Sequence, residues 1–390
     1  MSEWKKVKLG ECCQKIGSGS TPKGGSTVYV ESGTSFIRSQ NVYNLSFDYN
    51  GLTHISEDAA NKLKGVTIFS NDILLNITGD SVARTCIVPN DVLPARVNQH
   101  VAIVRADCKK INPRFLNYYL ASPGMQAHML SLAVGKGASR NAMTKQMIEN
   151  FEVPCPPIEI QHRIATILSR YDSLIENYQK QIKLLEEAAQ RLYKEWFIDL
   201  RFPGHENTKI VDGVPEGWKK KKVGEVIAKV PRSKQIPTKE YQNEGAIPII
   251  DQSRDYIAGY TDDIESRVES NEPYIVFGDH TRILKYVPFP FAKGADGTQL
   301  IMSNNLDLMP QCLLFTSLVS IDLSNYSYAR HFKYLKEEEI LVPTASIANA
   351  FSKHVAKWYA KIQLDREQIR LLTEARDRLL PKLMSGEIEI

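Results

Sequence analysis

The sequence predicts an α+β chain: two mixed α/β domains separated by two long antiparallel coiled-coil helices, built on a pseudo-twofold internal repeat. Three observations predict it. Segments flanking one half return in the same order around the other. Two long stretches carry heptad-spaced apolar stripes. Between them lie short β-branched runs bounded by turn residues.

The repeat is legible residue by residue. Glu3-Trp4-Lys5-Lys6-Val7-Lys8-Leu9-Gly10-Glu11 reappears as Gly217-Trp218-Lys219-Lys220-Lys221-Lys222-Val223-Gly224-Glu225, identical at six of nine positions with an offset of 214. The segment from Gln181 to Leu192 returns from Gln368 to Leu379, identical at eight of twelve with an offset of 187. Val153-Pro154 and Val342-Pro343 fit a spacing of 189. A shared framework therefore carries two inserts of unequal length, which implies that residue roles do not transfer between the halves.

The first stripe follows Pro156-Pro157 and runs through Ile164, Tyr171, Ile175, Tyr178, Ile182, Leu185 and Leu192. Its spacing predicts a helix over 158–198, roughly 60 Å long at 1.5 Å per residue. The second, over 345–384, carries Trp358, Ile362, Ile369, Leu372 and Leu379, with Pro381 tolerable only as a kink or in the last turn. Two matching stripes in one chain most simply bury each other. The alternative is a pair of core helices, each packed on its own domain. Polar Asp365 interrupts the second stripe, so looser pairing is expected there.

The boundaries read as a first domain over 1–155, a first long helix over 156–200, a linker over 201–216, a second domain over 217–344 and a second long helix over 345–390. Strands are expected at Phe36–Arg38, Ile73–Ile77, Val101–Arg105, Ile247–Ile250, Tyr274–Phe277 and Gln299–Met302, with short helices over 112–132 and 306–320.

Composition narrows the function. A net charge of +4 permits nucleic-acid binding without arguing for it. Six cysteines form no CxxC pair, so metal binding is not expected. The start lacks the apolar core of a signal peptide, and no apolar run approaches a membrane span. A reducing cytoplasmic location fits these features. Asn112-Pro113-Arg114-Phe115 lacks the second proline of a methyltransferase loop, Gly17–Gly24 lacks P-loop spacing, and neither GxSxG nor HExxH occurs. No catalytic site is expected.

The loops beside the strands hold residues able to reach bases or phosphates. In the first insert these are Arg38, Gln40, Asn41, Asn76, Thr78, Asn98, Gln99, His100, Lys136 and Arg140. In the second they are Asp251, Gln252, Arg254, Asp279, His280, Thr281, Arg282, Lys293, Asp296, Arg330 and His331. Arg pairs bidentately with guanine and Asn or Gln with adenine, which direct readout requires. Lysines among glycines, such as Lys136 and Lys293, suit phosphate contacts.

With its paired helices the chain resembles the specificity subunit of a type I restriction–modification system. The residues that carry the resemblance are Phe36–Val42, Asp72–Gly79 and Arg96–Val101 in the first insert. In the second they are Pro248–Ser253, Val276–Arg282 and Lys293–Gln299, beside the helix repeat ending at Arg191-Leu192 and Arg378-Leu379. The resemblance implies a target recognition domain in each insert, reading half of a bipartite site on double-stranded DNA. Arg38, Gln40 and Asn41 would read one half; Asp251, Gln252, His280 and Arg282 the other. The coil would set the unread spacer and dock two adenine N6-methyltransferase subunits, and through them the restriction subunits. S-adenosylmethionine, ATP and Mg would then belong to those partners, with no cofactor on this chain. The rival reading is a protein–protein scaffold with a coiled-coil spacer.

Overall fold

The computed structural model describes residues 4–134, 142–294, 296–326 and 330–390. They fall into two compact units, Met1–Glu176 with Ile369–Ile390, and Asn177–Gln368. The long helices, Ile158–Tyr193 and Ala345–Met384, each begin in one unit and finish in the other. Pro381 lies in the last turn of the second, so the one amide bond it removes and any kink it causes are confined to the helix end.

In the first unit, apolar runs place Ile73–Asn76 and Val101–Ala106 at the centre of a four-stranded antiparallel sheet between Thr85–Ile87 and Cys13–Ser18. A second sheet orders Tyr29–Val30, Thr53–Ile55, Thr34–Ile37, Ala95–Val97 and Thr67–Ile68, and its third and fourth members run parallel. Ile37, Leu74, Val97 and Ile103 share one core cluster; burying each side chain contributes roughly 1.5–3 kcal/mol. Ile73, Leu75 and Val104 share another with Leu116, Met129, Ile164, Leu168, Leu380 and Leu383.

The second unit repeats this plan despite its divergent sequence. One sheet orders Gly259–Thr261, Ile247–Ile250, Phe291–Lys293 and Arg267–Val268, again with a parallel central pair. The other orders Leu284–Val287, Tyr274–Gly278 and Thr298–Ile301. Its core takes Ala189, Tyr193 and Trp196 from the end of the first helix and Phe351, Val355 and Ile362 from the second. Each insert therefore packs on the start of its own helix and the end of the other. The two expectations for the helices are thereby combined rather than opposed.

The helices run antiparallel within each unit. Gln181 meets Lys361 while Tyr193 meets Phe351; in the other unit Asp172 meets Arg376, and Leu168 shares a cluster with Leu380. None of the named stripe residues is exposed, whereas Leu184 and Leu364, off the stripe, are 64% and 62% exposed. Asp365, the polar break in the second stripe, has its Oδ2 buried without a partner. It is 1% exposed and binds the Lys361 ammonium, which also donates to Gln181 Oε1 at 3.1 Å.

A two-stranded ladder closes each insert. Lys8 pairs with Glu152 and Lys6 with Pro154; Lys222 pairs with Glu339 and Lys220 with Leu341. This register extends the offset of 187 back to the ladders and makes Pro343 the counterpart of Pro156. The spacing of 189 read from the Val-Pro pairs was two residues out. Lys6–Glu152 and Lys220–Glu339 are then equivalent ion pairs, at 3.9 and 2.6 Å.

Candidate nucleic-acid interface

Equivalent strands lead into equivalent loops. Thr34–Ile37 leads into Arg38–Asn41 and Ile247–Ile250 into Asp251–Arg254. Ala95–Val97 leads into Asn98–His100, and Phe291–Lys293 into the segment ending at Gly297. Ile73–Asn76 and Tyr274–Gly278 supply the third loop of each set. The same backbone bonds join them. Asn98 N donates to Ile37 O at 3.0 Å and Gly294 N to Ile250 O at 2.9 Å. Ile77 N donates to His100 O at 3.0 Å and Asp279 N to Gly297 O at 2.7 Å. Loop positions therefore correspond between the halves, although the residues on them differ. A rigid sheet presenting clustered polar loops is the usual platform for recognition.

In the first insert, Arg38 Nη2 donates to Gly51 O at 2.8 Å and its guanidinium lies 5.8 Å from the Tyr29 ring centroid. Gln40 is exposed and Nε2 donates to the same carbonyl at 3.3 Å. Gln99 is exposed; Thr78 and His100 are partly exposed and joined through Oγ1 and Nδ1 at 2.6 Å. Lys136 and Arg140 lie outside the described residues.

In the second insert, Gln252 ties three segments together. Its Nε2 donates to Asp296 O at 2.9 Å, its Oε1 accepts from His280 N at 3.1 Å, and its carbonyl accepts from Thr281 Oγ1 at 2.7 Å. Arg254, His280, Thr281, Arg282, Asp296 and Arg330 are exposed, and Lys293 is partly buried. Burial lowers the Lys293 pKa against an opposing pull from Asp296. Arg282 adopts a left-handed φ of 62° and donates from Nη1 to Leu323 O at 3.0 Å. Gly294 permits the close packing beneath. A Cβ there would stand 2.3 Å from Tyr241 Oη and 2.6 Å from Asp251 Cβ.

Six of the expected DNA contacts, Asn41 and Asp251 among the expected base readers, are enclosed by the protein instead. Asn41, Asn76, Asn98, Asp251, Asp279 and His331 are all buried, and each makes at least one hydrogen bond inside the protein, although Asn76 Oδ1 is left without a partner. Asn41 accepts from Arg38 N at 3.0 Å and donates to Asp48 O at 2.9 Å. Asn76 donates to Ser39 O, Asn98 accepts from His100 N, and Asp279 accepts from Phe332 N. Asp251 accepts from Ser253 N at 2.8 Å, and His331 Nδ1 lies 2.9 Å from Asp279 O. These residues shape the loops. Placing them on base edges would first break those bonds.

Sequence reading missed Lys285. Its side chain is 4% exposed; Nζ donates to Asp255 O and lies 3.8 Å from Asp251 Oδ1. The alternation Leu284-Lys285-Tyr286-Val287 was the available signal, since it places Lys285 on the same inward side as Val287. Desolvation pushes its pKa down to about 8, only partly offset by Asp251 and Asp255. Between about pH 8 and 10.5 the unfolded chain therefore holds more proton than the folded one. Stability should rise with pH across that window, by roughly 3 kcal/mol from this group. Denaturant titrations of wild type and Lys285→Met at pH 7.5 and 10 check this: the difference should move in favour of wild type at the higher pH. No movement would contradict it.

Among the described residues, no helix is long and apolar enough to cross a membrane, and no group of three or more His, Cys, Asp or Glu residues is placed to hold a metal ion.

The family model for the type I restriction modification DNA specificity domain matches residues 1–187. The type I restriction enzyme MjaIX specificity subunit of Methanocaldococcus jannaschii is 28% identical over 416 residues, covering 99% of this chain and 93% of its own. The Escherichia coli EcoBI specificity subunit is 29% identical over 153 residues, covering 39% of this chain and 31% of its own. In fold, the chain is similar to the crystal structure of the type I restriction–modification S subunit from M. genitalium. That match has a TM-score of 0.58 at 15% identity and covers 97% of this chain and 96% of the other.

Proposed function

We propose that the chain is a specificity subunit of a type I restriction–modification system, as its likeness to that family supports, and that its two inserts read the two halves of a bipartite DNA target. The recurrence of one loop trio on two divergent inserts carries this reading. Exposed Gln40, Gln99 and the half-exposed Arg38 are assigned to one half-site; Arg254, His280, Arg282 and Arg330 to the other. Residues 1–155 and 217–344 act as the recognition domains, with the helices as spacer. The chain catalyses nothing; S-adenosylmethionine, ATP and Mg serve two adenine-methyltransferase subunits and the restriction subunits joined to them, in the cytoplasm. Leu184 and Leu371 support two like partners, because they are equivalent in the repeat and stand 64% and 44% exposed.

Sequencing of modified adenines in the host genome, with the gene present and deleted, tests the reading. A two-part motif with a fixed gap that vanishes on deletion is expected. If no such motif depends on the gene even with a neighbouring methyltransferase co-expressed, the scaffold reading replaces this one. Lys293→Ala in the assembled complex should weaken cognate and non-cognate DNA alike and lower the salt slope by about one. Loss confined to one base pair would make Lys293 a base reader.

A further inference from the structure

The paired helices are copies of one ancestral sequence, yet their seam is not charged alike. Asp172 accepts from Arg376 at 2.8 Å, with side chains 19% and 12% exposed. Glu186 accepts from Arg366 at 3.1 Å. Lys361 reaches Gln181 at 3.1 Å and its Nζ lies 5.4 Å from the Tyr178 ring centroid. In the ion pairs the first helix supplies the acids and the second the bases.

The offset of 187 gives the repeat counterpart of each partner. Arg376 corresponds to Ala189, since 376 less 187 is 189, and Arg366 to Gln179. Asp172 corresponds to Tyr359 and Glu186 to Thr373. If the first helix paired in the same register with a first helix from a second chain, Asp172 would face Ala189 and Glu186 would face Gln179. Every acid would then be left without its base. Two second helices would set Arg376 against Tyr359 and Arg366 against Thr373. Neither like-with-like pairing recovers an ion pair.

We propose that Asp172, Glu186, Arg366 and Arg376 are a pairing code that makes the duplicated helices select each other and reject their own kind in a second copy of the chain. The stripe positions that the repeat kept identical, Ile175 and Ile362, Ile182 and Ile369, Leu185 and Leu372, Leu192 and Leu379, cannot discriminate between the helices. Asymmetric charges along a seam set partner choice, and the rejected pairing fails because it strands half-buried charges. Like-with-like pairing would join two copies of one recognition insert, and twofold protein symmetry demands a palindromic target. The code thus keeps the target asymmetric. That consequence rests on the DNA reading above, but the association itself does not.

The test uses full-length chains with two different tags. One carries Asp172→Arg and Glu186→Arg, so both helices are basic at the seam; the other carries Arg366→Glu and Arg376→Glu, so both are acidic. Each chain alone is expected to be poorly soluble. Co-expressed, each supplies what the other lacks, and one tag should recover the other chain at least about tenfold above two tagged wild-type chains. Combining all four substitutions in one chain restores complementarity and should return recovery to the wild-type level with a soluble product. Recovery no greater than wild type for the mixed pair would overturn the code. So would a fourfold variant that associates as strongly as the mixed pair.

Discussion

Replacing residues 217–344 with the matching segment of a type I specificity subunit should rewrite one half of the proposed DNA target and leave the other half and the gap unchanged. The physical case is that the segment brings its own closure. The ladder of Lys219–Lys222 with Glu339–Val342 lies wholly inside it, as do both sheets and the three loops. What it does not bring is its floor. Tyr193, Trp196, Phe351 and Val355 of the helices share a core with Ile275, Leu313, Leu314 and Leu318 of the insert. A graft that changes those insert residues will carry a packing cost of about 1–3 kcal/mol, felt as lower stability rather than altered reading. Each wrong base pair costs roughly 1–3 kcal/mol of binding, so a three- or four-base half-site is switched by several orders of magnitude. Sequencing of modified adenines reads this directly. A change in both halves, or in neither, would show that the insert is not an independent reader.

Much of the architecture was legible because it is written in period and repetition. Heptad spacing located both long helices, and the first ended in a π turn at Lys194–Ile198 close to where the stripe ran out. Two features were not legible, for different reasons. The kinship of the inserts lies in strand order, which is set by pairing between residues far apart in the chain. The parallel pair Thr34–Ile37 with Ala95–Val97 has its double in Ile247–Ile250 with Phe291–Lys293, at positions with little shared sequence. The site was legible as loops but not as side chains. Polar loop residues look the same in sequence whether they face a ligand or tie the loop down. Asn76 and His331 read as DNA contacts in the sequence, but their hydrogen bonds to Ser39 and Asp279 hold them inside. Burial also separates Gln40 from its neighbour Asn41, one exposed and the other enclosed.

That distinction sharpens the second large effect, expected for Gln252→Ala. Gln252 is only half-buried, yet its side-chain amide holds Asp296 O and the His280 amide, and its backbone carbonyl holds the Thr281 hydroxyl. Truncation removes the two side-chain bonds and spares the third. Bonds of about 0.5–1.5 kcal/mol each imply a loss of roughly 1–3 kcal/mol of loop ordering. Because these loops border solvent, little of that will register as global instability. It will be incurred when DNA binds and the loops must be fixed. Cognate affinity of the assembled complex should therefore fall between about fivefold and a hundredfold. Binding to non-cognate DNA, governed by phosphates, should hardly change. Gln252→Glu separates the two bonds: it keeps an acceptor for His280 N but sets a carboxylate oxygen against Asp296 O, so it should fall at least as far as Ala. Competition binding with cognate and scrambled duplexes measures both variants. Equal losses on the two duplexes would reduce Gln252 to a prop for the fold, whereas selective loss on the cognate duplex would place the hub of the second reading surface at this one amide.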